Sequence, residues 1–237
     1  NDTVYSESTE QAVDIDFTLP DYCPDISKIF KCQSVPRVSS KGINGKTVTV
    51  DGTVLLTLLY TDNQGNLCSY EYQYPFSKNI EMPNEHSGVN LFCKTRTEYI
   101  NCRAVTGRKV DIHGAVGIFI KAFKRRSTEI ISDIDDGNIE LHRGIAPATV
   151  PMGYSEKYLM VEDELHIGQG QPSVRNILRC EAKSCVRETK VINDKAVVKG
   201  EMTVCVLYCP EGGGNPLNVK TVIPFSQIVD VDGITES

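Results

Sequence analysis

A long strand pattern that occurs three times constrains the fold of this 237-residue chain more than any other feature. In each copy apolar and polar residues alternate over about a dozen positions, and a glycine lies on the apolar face. These glycines are Gly52, Gly114 and Gly200. A period of two predicts a strand with one buried face, and a glycine inside it predicts a bulge or bend. We therefore expect one β unit that is used repeatedly.

The first and third copies share more than the strand. Gly52 and Gly200 are each followed eight positions later by a tyrosine, Tyr60 or Tyr208. A polar, glycine-containing loop comes next, which predicts a hairpin. A returning strand then ends in the same tripeptide in both copies, Pro75-Phe76-Ser77 and Pro224-Phe225-Ser226. The shared order indicates two units of the same design.

Upstream of each long strand a proline opens a segment with apolar residues at i, i+3 and i+4. These segments are Pro24–Cys32 and Pro172–Cys180. Such spacing after a proline predicts one or two helical turns. Each unit is thus predicted to contain an entry strand, a short helical turn, a strand, the long strand, a loop and a returning strand.

The fold class predicted from these patterns is all-β, with two antiparallel domains built as sandwiches or barrel-like sheets. We expect residues 1–130 to form a complete domain of seven or eight strands that includes the Gly114 strand. Residues 131–153, rich in Asp, Gly and Pro, are predicted to be a linker. Residues 154–237 contain no counterpart of the Gly114 strand, so the second domain is expected to be incomplete and to leave strand edges unpaired.

Composition excludes several classes of function. The formal net charge of −6 provides no basic excess for phosphate neutralisation, so nucleic acid is not expected as a partner. No apolar run approaches the roughly 20 residues of a membrane span. The first ten residues are polar and acidic, so we see no signal peptide, and the chain is expected to start inside a longer protein.

Nine cysteines are many for a protein without an export signal, and their odd number leaves at least one thiol without an intramolecular partner. Most suit small buried hydrophobic positions. A zinc site is disfavoured because the usual two-residue spacing within each cysteine pair is missing, and no metal is expected. Candidates for a disulfide or an intermolecular cross-link are Cys23, Cys32, Cys180 and Cys185.

The sequence shows little that indicates an enzyme. Its four histidines are scattered, and neither a Gly-x-Ser-x-Gly elbow nor a His-Glu-x-x-His helix is present. We expect no catalytic residues and no cofactor.

The ordered set of motifs resembles the SPOCS domain of SipL-like spore-coat morphogenesis proteins of clostridia and other endospore formers. The resemblance rests on Leu19–Ile29, Asn44-Gly45-Lys46, Gly52, Leu59-Tyr60, Pro75-Phe76-Ser77 and Arg108-Lys109-Val110. It covers one full copy, at about residues 11–130, and a partial copy from about residue 154 onward.

The resemblance implies a noncatalytic structural protein, made in the mother-cell cytoplasm and placed in the spore coat or on the spore surface. We expect it to act by self-association, as a homo-oligomer or a filament formed by strand-edge complementation, or by docking to another coat protein. The alternative is a glycan-binding module that contacts peptidoglycan in the spore envelope.

Overall fold

The computed structural model describes residues 2–124, 129, 144 and 153–236 of the chain. Within these ranges all regular structure is β-strand, and no helix is present that could span a membrane. The nine strands are β1 (Asp2–Thr18), β2 (Lys28–Asn44), β3 (Thr47–Thr61), β4 (Leu67–Glu81), β5 (Asn90–Ala104), β6 (Lys109–Lys124), β7 (Val174–Ile192), β8 (Lys195–Pro210) and β9 (Leu217–Asp230).

The first six strands form a sandwich of two antiparallel sheets. One sheet has the order β2-β3-β4 and consists of consecutive hairpins, whereas the other has the order β1-β6-β5 and joins the first strand to the last. The edges β2 and β5 approach each other, and the hydroxyl oxygens of Ser34 and Thr97 lie 2.5 Å apart. Neither sheet closes into a barrel.

The core of this sandwich lies between the inner faces of β3 and β6. Alternate residues of both strands are buried, as the sequence alternation requires. Fully or almost fully buried side chains, at 0–2% exposure, are Val48, Val50, Val54, Leu56, Leu58 and Tyr60 of β3 and Val110, Ile112, Val116, Ile118 and Ile120 of β6. Burial of such side chains contributes about 1.5–3 kcal/mol each relative to exposure.

The three repeated glycines lie where the neighbouring edge strand bulges. Gly52 pairs with Val38, and the register of β2 shifts between Val38 and Ser40. Gly200 pairs with Val186 of β7, where the register shifts just afterwards, and the register of β5 shifts beside Gly114. The glycine pattern of the sequence thus marks positions where two backbones approach closely.

The last three strands form a third sheet of order β7-β8-β9. Its strands pair in the same relative register as β2, β3 and β4, with equivalent positions 148 residues apart in the first two strands and 149 apart in the returning strand. In both sheets the central glycine lies opposite a phenylalanine of the returning strand, Gly52 opposite Phe76 and Gly200 opposite Phe225. The second unit therefore repeats one sheet of the first, and the described residues contain no second sheet to cover it.

The helical turns predicted in Pro24–Cys32 and Pro172–Cys180 are wrong. Residues from Lys28 and from Val174 onward belong to β2 and β7, and the residues before them have no regular structure. Both strands carry a bulge early in their course, at Ile29/Lys31 and Ile177/Arg179. A bulge inserts one residue into the alternation, so inward positions are locally three apart, which imitates helical spacing.

Two further predictions need correction. Residues 2–124 contain six strands rather than the seven or eight expected. The entry strand expected for the second unit is not formed, because residues 153–168 have no regular structure. The predicted linker, residues 131–153, lies outside the described residues except for Gly144 and Gly153, and the domain boundaries remain predictions.

Candidate interaction surface of the second unit

The inner face of sheet β7-β8-β9 is apolar, and no described strand covers it as β1, β5 and β6 cover its counterpart. We name this the open face and define it by Val186, Val198, Met202, Val204, Ile223 and Phe225. Val54 and Leu56 of β3 are 0% and 2% exposed, whereas their counterparts Met202 and Val204 are only half-buried. Val186 of β7 is 55% exposed. An apolar surface that the described residues leave exposed is the usual mark of an interaction site.

One end of the third sheet is buried against the first unit. The Ser69 hydroxyl of β4 donates to the Ile177 carbonyl at 2.8 Å, and the Asn176 amide donates to the Leu67 carbonyl at 3.3 Å. Leu178 and Tyr208, at this end, are 2% and 0% exposed. The contact fixes the loop end of the sheet, and it does not extend over most of the open face.

The segment before β7 makes a second contact between the units. Lys41 of β2 pairs with Glu156 at 2.6 Å. The rings of Phe123 and Tyr154 meet edge to face at 5.3 Å between centroids. Lys157 donates to the Ile228 carbonyl of β9 at 2.8 Å. Residues 153–157 therefore touch both the sandwich and the third sheet.

Farther along this segment the apolar side chains have little cover. Tyr158 and Met160 are 75% and 84% exposed. Val161, Leu165 and Ile167 alternate at the positions that Val13, Phe17 and Leu19 occupy in β1, again 148 residues apart. In the first unit Val13 and Leu19 are 0% and 1% exposed. The segment is thus the sequence counterpart of β1, and no described strand pairs with it as β6 pairs with β1.

In the first unit an arginine joins the β5–β6 turn to the connection between β1 and β2. The Arg108 guanidinium donates to three carbonyls at 2.6–3.2 Å and pairs with Asp25 at 2.8 Å. The three carbonyls belong to Leu19, Pro20 and Cys23. We call this set of contacts the arginine clamp. The clamp holds the two connections together at one end of the sandwich. Its hydrogen bonds are strong because the donor is charged.

Acidic residues of β1 face cations of β6. Asp16 pairs with Lys109 at 2.9 Å, and the hydrogen bond with that ammonium lowers the pKa of the Asp16 carboxyl. Asp14 lies 2.8 Å from the His113 ring, which also approaches Asp111 at 3.2 Å. The hydrogen bond to Asp14 and the Asp111 charge raise the pKa of His113. These pairs hold the exposed side of the β1–β6 ladder.

The predicted cross-linking cysteines are not brought together. Cys23 is buried beside the arginine clamp, and Cys180 and Cys185 are exposed on opposite faces of β7, which excludes a bridge between these two. Cys32 of β2 instead lies beside Cys102 of β5. The interaction between the two thiols lowers the pKa of Cys32 and, together with burial, raises the pKa of Cys102. The nine thiols are all free in this structure.

The other residues singled out from the sequence have structural contacts. The Tyr60 hydroxyl donates to the Pro24 carbonyl at 3.1 Å, and Tyr208 donates to Pro172 at 3.5 Å. In the first tripeptide Pro75 lies opposite Thr53, Phe76 opposite Gly52 and Ser77 opposite Asp51. Pro224, Phe225 and Ser226 repeat this arrangement in β9. The repeated residues therefore form two equivalent hairpins.

The described residues show no cluster of three or more His, Cys, Asp or Glu side chains that could hold a metal ion. His113, which contacts Asp14 and Asp111, stands on the outer side of its sheet with its side chain 59% exposed.

The sequence predicted the repeat, but it did not lead us to the arginine clamp or to residues 158–167 as the counterpart of β1. The signal for the clamp was Arg108 directly before the Gly114 strand. The signal for residues 158–167 was the alternation of Val161, Leu165 and Ile167.

A family model described as SipL, SPOCS domain matches residues 25–105 and 173–237. The matched ranges begin at equivalent positions of the two units and contain β2–β5 and β7–β9. A comparison with curated proteins gave no match. A comparison with solved structures gave none either.

Proposed function

The chain belongs to the SipL SPOCS-domain family, which is associated with sporulation, and we propose that it is a noncatalytic structural protein of the spore coat or spore surface. Its task is assembly: the second unit joins the chain to a neighbour in the coat. That neighbour is either another copy, which gives a homo-oligomer or filament, or another coat protein.

One observation carries the proposal. Two sheets of the same sequence pattern and register occur in the chain. The first is covered by β1, β5 and β6, whereas no described strand covers the second. Residues such as Met202 and Val204 become fully buried only when something packs on them. Apolar burial stabilises association by about 25 cal/mol per Å², so the open face favours a bound over a free state.

Two matched variants test assembly. Val204→Asp places a charge on the open face, whereas Val222→Asp places the same charge on the opposite side of the same sheet, where Val222 is 51% exposed. Size-exclusion chromatography with light scattering and negative-stain imaging should show oligomers or fibres for the wild type and for Val222→Asp. Val204→Asp should be a monomer.

The same variants test docking in sporulating cells. A fluorescently tagged wild-type chain should collect around the developing spore, and Val204→Asp should disperse in the mother cell. A wild-type chain that is monomeric at all concentrations, and whose position in the cell does not depend on Val204, would contradict the proposal.

Glycan binding in the spore envelope is the second candidate, and a groove on the outer side of sheet β1-β6-β5 favours it. Phe119 lies there beside Phe92, with ring centroids 6.4 Å apart, and Arg96 pairs with Glu98 at 2.7 Å. An aromatic ring beside charged groups is suited to a sugar. Retention of the wild type, but not of Phe119→Ala, on purified peptidoglycan would support this candidate, and equal retention would exclude the groove.

A further inference from the structure

Two cysteine thiols meet where the sheets of the first unit approach each other at their edges. Cys32 lies on β2 and Cys102 on β5, and their thiols lie beside each other. Both side chains are half-buried and pack against the hydrophobic core. Because β2 and β5 belong to different sheets, one bond between these two sulfurs would join the sheets covalently.

Hydrogen bonds next to the thiols fix the spacing of β2 and β5. The Thr97 hydroxyl donates to the Ser34 carbonyl at 3.0 Å, and the Thr95 hydroxyl donates to the Pro36 carbonyl at 3.4 Å. A threonine hydroxyl is attached to Cβ, so its bond to a main-chain carbonyl requires the two backbones to run close together. Close backbones are what a disulfide needs, since its two Cα atoms are usually about 4.4–6.8 Å apart.

A bulge in β5 turns Cys102 towards Cys32. On β2, Cys32 is two positions before Ser34 and shares its inward side. On β5, Thr97 and Cys102 are five positions apart, so they would face opposite sides in a regular strand. The register of β5 shifts just after Thr97, and this insertion returns Cys102 to the inward side. The irregularity of the strand therefore brings the two thiols together.

The two thiols differ in reactivity. The interaction with Cys102 lowers the pKa of Cys32, so more of this thiol is present as the thiolate, which is the nucleophile. The interaction with Cys32 and burial raise the pKa of Cys102. Cys32 is therefore suited to attack a disulfide first, and Cys102 to attack second.

We propose that Cys32 and Cys102 form an intramolecular disulfide that joins the two sheets of the first unit, with a low-molecular-weight disulfide such as oxidised glutathione as the oxidant. The Cys32 thiolate attacks one sulfur of the small disulfide, whose sulfur–sulfur bond breaks, and the released thiolate takes up a proton. Cys102 then loses its proton to solvent and attacks Cys32 Sγ, which releases the second small thiol. The two cysteines lose two electrons, and the small disulfide gains them.

The bond depends on the redox state of the surroundings and not on assembly. The two thiols stay reduced in a reducing compartment and form the disulfide in an oxidising one. Both belong to the first unit, so the inference is independent of the open face and of the proposed function.

The test uses the full chain, reduced and then freed of reductant, with oxidised glutathione as the probe. Free thiols are blocked with N-ethylmaleimide, and a non-reduced tryptic digest is read by mass spectrometry. Trypsin places Cys32 in residues 32–37 and Cys102 in residues 97–103, and neither peptide contains another cysteine. This linked pair should be at least about tenfold more abundant than any other. In concentrated urea the preference should pass to cysteines close in sequence, such as Cys180 and Cys185.

Two variants provide the comparison. Cys180 stands in β7 where Cys32 stands in β2, and it is exposed, so Cys180→Ser is the matched control. Cys102→Ser should remove the linked pair, and Cys180→Ser should retain it. The oxidised wild-type chain should also unfold at a urea midpoint about 1–2 M above that of the reduced chain, because the bond restricts the unfolded chain. Oxidised Cys102→Ser should show no such rise.

The native wild-type chain decides the outcome, so the result does not depend on how well a variant folds. Absence of the linked pair, or its formation to the same extent in concentrated urea, would overturn the inference. A urea midpoint that oxidation leaves unchanged or lowers would also overturn it, because the native fold would then not hold the two thiols in place for bonding.

Discussion

Gly52→Ala tests whether close backbone approach, rather than flexibility, requires the repeated glycine. A Cβ atom at this position would overlap the Arg37 carbonyl oxygen of β2 and the ring of Phe76. The carbonyl is fixed by the strand ladder, and the ring is only 7% exposed in the core. Neither neighbour can retreat without disturbing the sheet or the packing.

The magnitude follows from two opposing effects. Replacing glycine by alanine restricts the unfolded chain and stabilises a protein by about 0.4–1 kcal/mol where the methyl group fits. Overpacking in a filled core costs typically 1–3 kcal/mol. We expect Gly52→Ala to be destabilising by about 1–2 kcal/mol. Gly42→Ala, in the neighbouring strand with open space around its Cβ position, should be neutral or stabilising.

The assay is urea unfolding followed by far-ultraviolet circular dichroism, with ΔG compared at constant m. The Phe76→Leu background separates the two overlaps, because removal of the ring should reduce the cost of Gly52→Ala by about 0.5–1 kcal/mol and leave the part that comes from the Arg37 carbonyl. Gly200→Ala meets an equivalent carbonyl, from Cys185, and the half-buried ring of Phe225. Its cost should be smaller, since that ring can move into the open face.

If Gly52→Ala stabilised the protein as much as Gly42→Ala does, the steric reasoning would be refuted. An equal cost at positions 52 and 200 would instead contradict the difference in cover between the two sheets.

Two other predictions concern charged groups of the first unit. Arg108→Ala should lower the free energy of unfolding by roughly 3 kcal/mol, because several charge-assisted hydrogen bonds to partly buried carbonyls are lost. Arg103→Ala removes a pair with Asp111 from a side chain that is 75% exposed, and it should cost less than about 1 kcal/mol in the same urea experiment. His113 should titrate by NMR with a pKa above its ordinary 6.5, and Asp14→Asn should lower that pKa. Because the folded pKa is the higher one, this contribution to stability is present below pH 6.5 and is lost as the pH rises through the folded pKa; a pKa of His113 at or below 6.5 would contradict the pairing.

The strands themselves were predictable because their signal is local. The alternation of apolar and polar residues in β3, β6 and β8 predicts which side chains face inward. In β3 and β6 those side chains are buried in the structure. The family was predictable for a related reason, since its motifs are short ordered strings within single units.

Bulges in β2 and β7 explain why the helical turns predicted before the long strands were wrong. The inward residues Ile29 and Cys32 are three apart because one residue is inserted between them. A helix and a bulged strand then present the same spacing, and only pairing with β3 decides between them.

The arginine clamp and the cysteine contacts were not predictable from spacing. Arg108 meets Leu19 and Asp25 across more than 80 residues of sequence, and Cys32 meets Cys102 across two sheets. Such contacts depend on how the sheets stack, which no local pattern records.

By itself the sequence determined that the chain is built of long antiparallel strands, that one hairpin design occurs twice, and that the design belongs to the SPOCS family. Alternation, turn residues and repeated strings express these properties within a few residues of each other. Only the tertiary structure decided that β1 pairs with β6, that this sheet covers β2-β3-β4, and that no strand of the described part of the chain covers the sheet β7-β8-β9. Burial is a property of what packs on a face, so two nearly identical alternations have different environments and, in our proposal, different roles.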